Sequence, residues 1–335
     1  MKFLSRICFL VFLIMIFSCQ DNKLEVDISN ENLIIKVARF EKELFETTAN
    51  SPFQHHQKLH NKYGTFYKRF VESVIKVGLV KDSAIGNKLN LFMKDATMKE
   101  VFDRVNKKYS DMVLFENELT DAFKHYHYYF PERLIPQVIS YTSGFNYSML
   151  ATDSTLGIGL DMYLGNDCKY YELLGFPKYK TQNMRPENLV SDAMKAWIST
   201  EFSKDISEKD MLHHIIQEGK IMYLLDAILP DVEDSLKIGF PTEKINWCKK
   251  NEKNIWTHFV EKKLIFTTDY KEIITYLNEG PFTPGLPRES PAKTGVWLGW
   301  QIVRSYMNRQ EKIDLKKLIS ADAQVILKES KYKPK

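Results

Sequence analysis

A second long apolar run is missing from this chain. Beyond residues 7–17, no stretch approaches the roughly 20 residues that a bilayer crossing needs. Glycine is sparse, at 14 of 335 residues, and no Gly-rich phosphate loop occurs. Nor is there a G-x-S-x-G, a Cys/His pair or an H-E-x-x-H. These absences remove the usual signatures of P-loop nucleotidases, serine and thiol hydrolases and zinc peptidases. No basic stretch is interleaved with aromatics, which excludes a nucleic-acid partner. Cysteine is scarce, with four in all. Two of these, Cys168 and Cys248, lie in the body of the chain, and a bridge between them and two free thiols both stay open. No internal repeat or low-complexity tract appears, so a solenoid is excluded.

What is present starts at the amino terminus. Lys2 and Arg6 precede an apolar run over residues 7–17 that ends in Ile16-Phe17-Ser18-Cys19. That run has the length of a signal-peptide core. A branched aliphatic three residues before a cysteine, with a small residue directly before it, is the pattern read by the lipoprotein signal peptidase. The expectation is a signal peptide over 1–18, lipid (diacylglycerol and palmitate-type acyl chains) on Cys19, and a polar tether over 19–32. Each buried methylene contributes about 0.8 kcal/mol, so two or more chains give a firm anchor. Loss of Lys2 and Arg6 takes the net charge from +4 to +2. The expected location is the cell envelope, in the periplasm or at the outer membrane.

The rest, 33–330, reads as one domain. Residues 33–40 alternate like a strand and 41–47 turn helical. Residues 53–130 read as a set of helices, with Val101, Phe102 and Val105 at helical spacing in one and Met112, Phe115, Leu119, Phe123 and Tyr126 in another. Strand character appears over 134–145 and 156–164, with a turn at Ala151-Thr152-Asp153-Ser154. Further helices are expected over 187–202, 208–229, 242–262, 269–279, 295–308 and 314–329, with a Pro/Gly-rich loop at 280–294. The fold class is α+β, mainly helical, with a small central sheet.

A strand, a loop and two helices, the second carrying Glu218-Gly219, follow the layout of a zincin-like core. In that layout two histidines at i and i+4 hold zinc, a glutamate between them is the base, and a glutamate on the next helix completes the ligand set. Here Ser191 and Lys195 stand at the histidine positions, Asp192 at the base and Glu218 at the last ligand. A catalytic zinc needs three protein ligands, and serine with lysine cannot replace two imidazoles. The expectation is a degenerate site with no metal and no cofactor, a pseudo-metallopeptidase. A buried carboxylate without a counter-charge is costly, so Lys195 is expected to pair with Glu218 in place of the dication. The alternative is two unrelated surface charges.

The Tyr141-Thr142-Ser143-Gly144-Phe145-Asn146 segment resembles the gliding-motility lipoprotein B family (GldB) of the Bacteroidetes. So do Gly159-Leu160-Asp161-Met162-Tyr163-Leu164-Gly165, Ile216-Gln217-Glu218-Gly219-Lys220 and the closing Gly295-Val296-Trp297-Leu298-Gly299-Trp300-Gln301-Ile302-Val303, together with the lipid signal. The likeness covers nearly all of the mature chain. It implies a role in gliding, with partners in the envelope machinery that also serves type IX secretion, and it implies no catalytic activity. The competing reading is an active zinc peptidase using His214, Glu218 and further ligands. A small-molecule-binding transport lipoprotein is disfavoured, because no doubly wound pattern is present.

Asp161 and Tyr163 are candidate groove residues, together with His214. His56 and His60, at i and i+4 beside His55, are a weaker metal candidate than a solvated helix face. His125 and His127, at i and i+2, point apart on a helix. His213 and His214 precede Glu218, and a hydrogen bond is the plainer role there. Gly295 and Gly299 suit close helix packing. The loop over 281–293 is either a binding edge or a stiff connector.

Overall fold

The computed structural model describes residues 23–46 and 51–335. The signal peptide and Cys19 lie outside the described residues. From Lys23 the chain is already on the body. The Lys23 ammonium donates to the carbonyls of Asn308 and Gln310, at 3.3 and 2.8 Å. Leu24 packs against the main core.

Strand β1 (Val37–Arg39) leads into helices α1 (Phe40–Leu44), α2 (Pro52–Arg69), α3 (Ile85–Lys94), α4 (Ala96–Lys108) and α5 (Val113–Tyr129). Helix α2 starts where Ser51 and Gln54 cap each other's backbone amides and Pro52 takes the first turn. Strands β2 (Gln137–Tyr141), β3 (Met149–Ala151) and β4 (Thr155–Gly159) follow, then a 3-10 turn (Leu160–Tyr163). The remainder is helical: α6 (Lys169–Leu173), α7 (Lys178–Thr181), α8 (Leu189–Phe202), α9 (Met211–Ile228), α10 (Asp234–Ile238), α11 (Thr242–Lys250), α12 (Glu252–Glu261), α13 (Tyr270–Leu277), α14 (Thr294–Asn308), α15 (Leu315–Ser320) and α16 (Ala323–Ser330).

The sheet has the order β1-β2-β4-β3. β1, β2 and β4 are parallel, with Arg39 opposite Ser140 and Tyr141 opposite Gly159. β3 returns antiparallel to β4 through the expected turn. All of β4 and all of β2 after Gln137 are buried, because helices cover both faces. The sheet therefore separates two cores. Ile139 and Tyr141 face Phe40, Phe66, Tyr67 and Phe70. Val138, Leu156 and Ile158 face the larger helical body.

Several boundaries differ from the sequence pattern. The strand expected to Leu164 stops at Gly159, where the backbone turns so that the Asp161 side chain points inward. The helix expected over 242–262 breaks at Asn251, whose side-chain amide caps the Trp247 carbonyl at 2.9 Å. The one expected over 314–329 breaks at Ala321, where Lys220 donates to the carbonyls of Ile319 and Ala321 at 3.2 and 2.6 Å. Helices α6, α7 and α10 are too short to carry a readable period.

Helices α9 and α14 cross at Gly219 and Gly299. A methyl on Gly299 would sit 1.7 Å from the Ile215 carbonyl oxygen, and one on Gly219 2.3 Å from that of Gly299. Only glycine permits this approach. Gly295 lies one turn away with more room, 3.0 Å from the Tyr276 carbonyl.

Candidate functional site

The parallel strands end together, and their carboxyl edge gathers several buried polar side chains, among them Glu41, Ser140, Ser143 and Asp161. Arg39 forms an ion pair with Glu41, and Ser140 donates to the same carboxylate at 2.7 Å. Arg39 also donates to the Tyr109 carbonyl at 2.7 Å. This latch between β1, β2 and α4 has no signal in the sequence beyond two opposite charges flanking Phe40.

Asp161 holds the next turn. Its carboxylate accepts from the amides of Ser143 at 3.1 Å and Phe145 at 2.6 Å. Gly144 and Phe145 both have positive φ, at 74° and 67°, which aims these amides at one point. The side chain is fully buried. Burial pushes its carboxyl up to about 6, although the backbone amides of Phe145 and Ser143 pull it down. The other oxygen, Oδ1, has no partner among the described residues. Two of the segments quoted above, 141–146 and 159–165, are therefore one structural lock.

Tyr163 is 2% exposed, so it too sits inside the protein rather than along a groove. Its hydroxyl donates to Asp192 at 2.8 Å, and its carbonyl accepts from the Tyr109 hydroxyl at 2.6 Å. Asp192 is pushed up to about 6 by burial, against the pull of Tyr163, Lys195 and Lys293. Lys293 has left-handed backbone at the start of α14. It donates to the Ile238 carbonyl at 3.1 Å and meets Glu279 at 3.5 Å. Burial, then the charge of Lys195, lowers its ammonium. Lys195 thus acts on Asp192 and Lys293. Among the described residues it forms no ion pair with Glu218.

The other expected site residues diverge. Ser191, one residue from Asp192, points to the far side of α8 and lines a cavity with His125. Glu218 is half-buried on α9, one turn from His214. Burial lowers the His214 imidazole against an opposing pull from Asp210 and Glu218. Its Nε2 has no partner among the described residues. Gly219 serves the helix crossing and Lys220 the break before α16. The 216–220 and 295–303 segments thus meet as a second structural lock.

Of the remaining histidines, His60 stacks on His56, His258 meets the Tyr276 hydroxyl and the other four have polar partners. His55 contacts the Leu44 carbonyl, His56 the Tyr67 hydroxyl, His127 Glu31 and His213 its own cap residue Asp210. Among the described residues, no group of three His, Cys, Asp or Glu side chains gathers with metal-ligand spacing. Cys168 and Cys248 are both free and buried. The loop over 281–293 closes on itself through Thr283, whose hydroxyl donates to the Pro291 carbonyl at 2.8 Å. Its two ends, including Lys293, wall a cavity of about 340 Å³ with Phe240 and Lys244.

One charge network escaped the sequence reading. Asp226 accepts from Arg304 at 2.7 Å, Trp300 at 2.8 Å and Lys237 at 3.1 Å, and Arg304 also grips Asp234. Its signal was a single acid inside the apolar run 221–229 and a single arginine inside 296–307. Burial works against both charges, but mutual pairing raises Arg304 and lowers Asp234.

The family model GldB_lipo, described as gliding motility protein GldB, matches residues 21–334. No curated protein and no solved structure matches the chain. The match spans both structural locks, the sheet and the helices of the described residues, and its short name marks a lipoprotein family. The chain therefore belongs to the GldB family, and its role lies in gliding motility.

Proposed function

We propose that this protein is a non-catalytic, membrane-anchored lipoprotein that binds other components of the envelope motility apparatus. The observation carrying this reading is the Tyr163–Asp192 hydrogen bond. The side chain at the catalytic position of a zincin-like layout is engaged inside the protein, with Lys195 and Lys293 as its neighbouring charges. A cationic pair beside it opposes a dication electrostatically. Ser191 and Glu218 lie apart from that point and serve other surroundings. The reading includes descent from a zincin-like core whose metal site has degenerated.

Lipid on Cys19 would hold the body close to its membrane. Lys23 is docked, and four residues extend at most about 14 Å. Type IX secretion components are the expected partner class, in the periplasm or at the outer membrane.

Zinc content and peptidase activity of the purified full chain test the proposal. The expected result is zinc well below one per chain and no peptidase activity. Stoichiometric zinc whose removal abolishes peptide cleavage would establish the competing reading, an envelope zinc peptidase.

A further inference from the structure

A cleft lies between α5, the start of α8 and the segment joining α9 to α10. It encloses about 410 Å³. Its floor is apolar, with Ala122, Val190, Ile228 and Leu229 all buried. Its rim carries four exposed acids, Glu118, Asp121, Glu187 and Asp231, and its lining includes no lysine or arginine. None of the four has an ion-pair partner among the described residues. By contrast Glu116, two residues before Glu118 on the same helix, pairs with Lys36.

Two side chains in the floor are polar and nearly buried. Ser191 is 2% exposed, and its hydroxyl makes no hydrogen bond among the described residues. His125 is 9% exposed. Its Nδ1 contacts the Asp121 carbonyl at 2.9 Å, which leaves Nε2 for another partner. The apolar surface continues beyond the cleft. Leu114, 73% exposed, shares one face of α5 with Glu118, Asp121 and His125 at helical spacing. Partial burial against this apolar wall raises the Glu118 carboxyl, and a cation paired with it there would be less screened by water than at an open surface.

We propose that this cleft is the docking site for a partner-protein segment that combines apolar side chains with arginine or lysine. The apolar groups fill the floor over Val190 and Ile228. The cations meet the four-acid rim, and the unpartnered Ser191 and His125 atoms take backbone groups of the segment. An acidic segment would be repelled, and a wholly apolar one would leave the four carboxylates without counter-charges. The proposal rests on the binding role above and names its partner's chemistry.

The test uses the full chain in a phosphatidylcholine nanodisc, with empty discs as the blank. The probe is a fluorescent twelve-residue peptide of Leu, Arg and Gly. Two controls replace Arg by Glu or Leu by Ser. Only the Leu/Arg peptide is expected to bind well, and Glu118→Lys with Glu187→Lys should weaken it at least tenfold. Glu208→Lys with Glu311→Lys, two exposed acids away from the cleft, should change it less than twofold. In cells, the cleft variant should lose surface spreading at normal protein abundance. Equal weakening by both pairs, equal binding of the Leu-to-Ser control, or normal spreading of the cleft variant would overturn the cleft. Those results would leave the non-catalytic reading intact, since its failure appears instead as stoichiometric zinc and peptide cleavage.

Discussion

Replacing Asp161 by alanine should cost more stability in acid than near neutrality. The side chain is fully buried and its carboxylate accepts from two backbone amides, at 3.1 and 2.6 Å. Leaving two buried donors unpaired costs about 1–3 kcal/mol each, so the gross loss is about 2–6 kcal/mol. Against it stands the cost of the buried charge. The group rises from 3.8 to about 6 on folding, so the folded protein holds a proton that the unfolded chain releases. Its contribution is complete below the unfolded value of 3.8 and is lost as pH rises through about 6. A shift of that size corresponds to roughly 3 kcal/mol. The penalty for Asp161→Ala should therefore be about 2–3 kcal/mol larger at pH 4 than at pH 7.5. Asp192 titrates over the same window, but it is present in both proteins and cancels. Urea unfolding of the detergent-solubilised chain, followed by far-ultraviolet circular dichroism at both pH values, reads this difference. A penalty equal at both, or larger at pH 7.5, would refute the reasoning.

Further consequences follow from the second lock and the buried charges. Gly299→Ala should lower stability by about 3 kcal/mol or more, because its methyl meets backbone at 1.7 Å, while Gly295→Ala costs less; melting temperatures of the two variants rank them. Asp226→Asn should cost about 3–5 kcal/mol in chemical unfolding, since it strips charge pairing from Arg304 and Lys237 in a buried network. Cys248, whose thiol burial pushes up to about 12, should resist a thiol reagent at pH 8 in the native protein and react once urea unfolds it.

Much of the fold was legible because its signals are periodic. The helices over 53–129 follow their apolar spacing, the long pair α8 and α9 are largely buried apolar runs, and β2 and β4 lie within one residue of the expected strand regions. Strand β3 was invisible because three half-buried residues carry no period. The breaks at Asn251 and Ala321 depend on caps supplied by Asn251 itself and by Lys220, a hundred residues from the carbonyls it meets. The site was less legible for the same reason. Spacing placed Ser191, Asp192, Lys195 and Glu218 in one pattern, but a helix divides its faces at 100° per residue. Adjacent Ser191 and Asp192 consequently serve different surroundings. The distinctive segments, 141–146 with 159–165 and 216–220 with 295–303, belong to two places where backbone is held by a carboxylate or by glycine.

The central claim is that the protein works in gliding by binding, without chemistry at Asp192 and Glu218. The most direct measurement is surface spreading by cells whose only copy carries Asp192→Asn with Glu218→Gln, at matched protein abundance. The account predicts spreading within about twofold of wild type, since each replacement keeps the side-chain shape and a difference smaller than 0.5 kcal/mol in binding is about twofold. Loss of spreading with the protein folded and present at its normal level would contradict it.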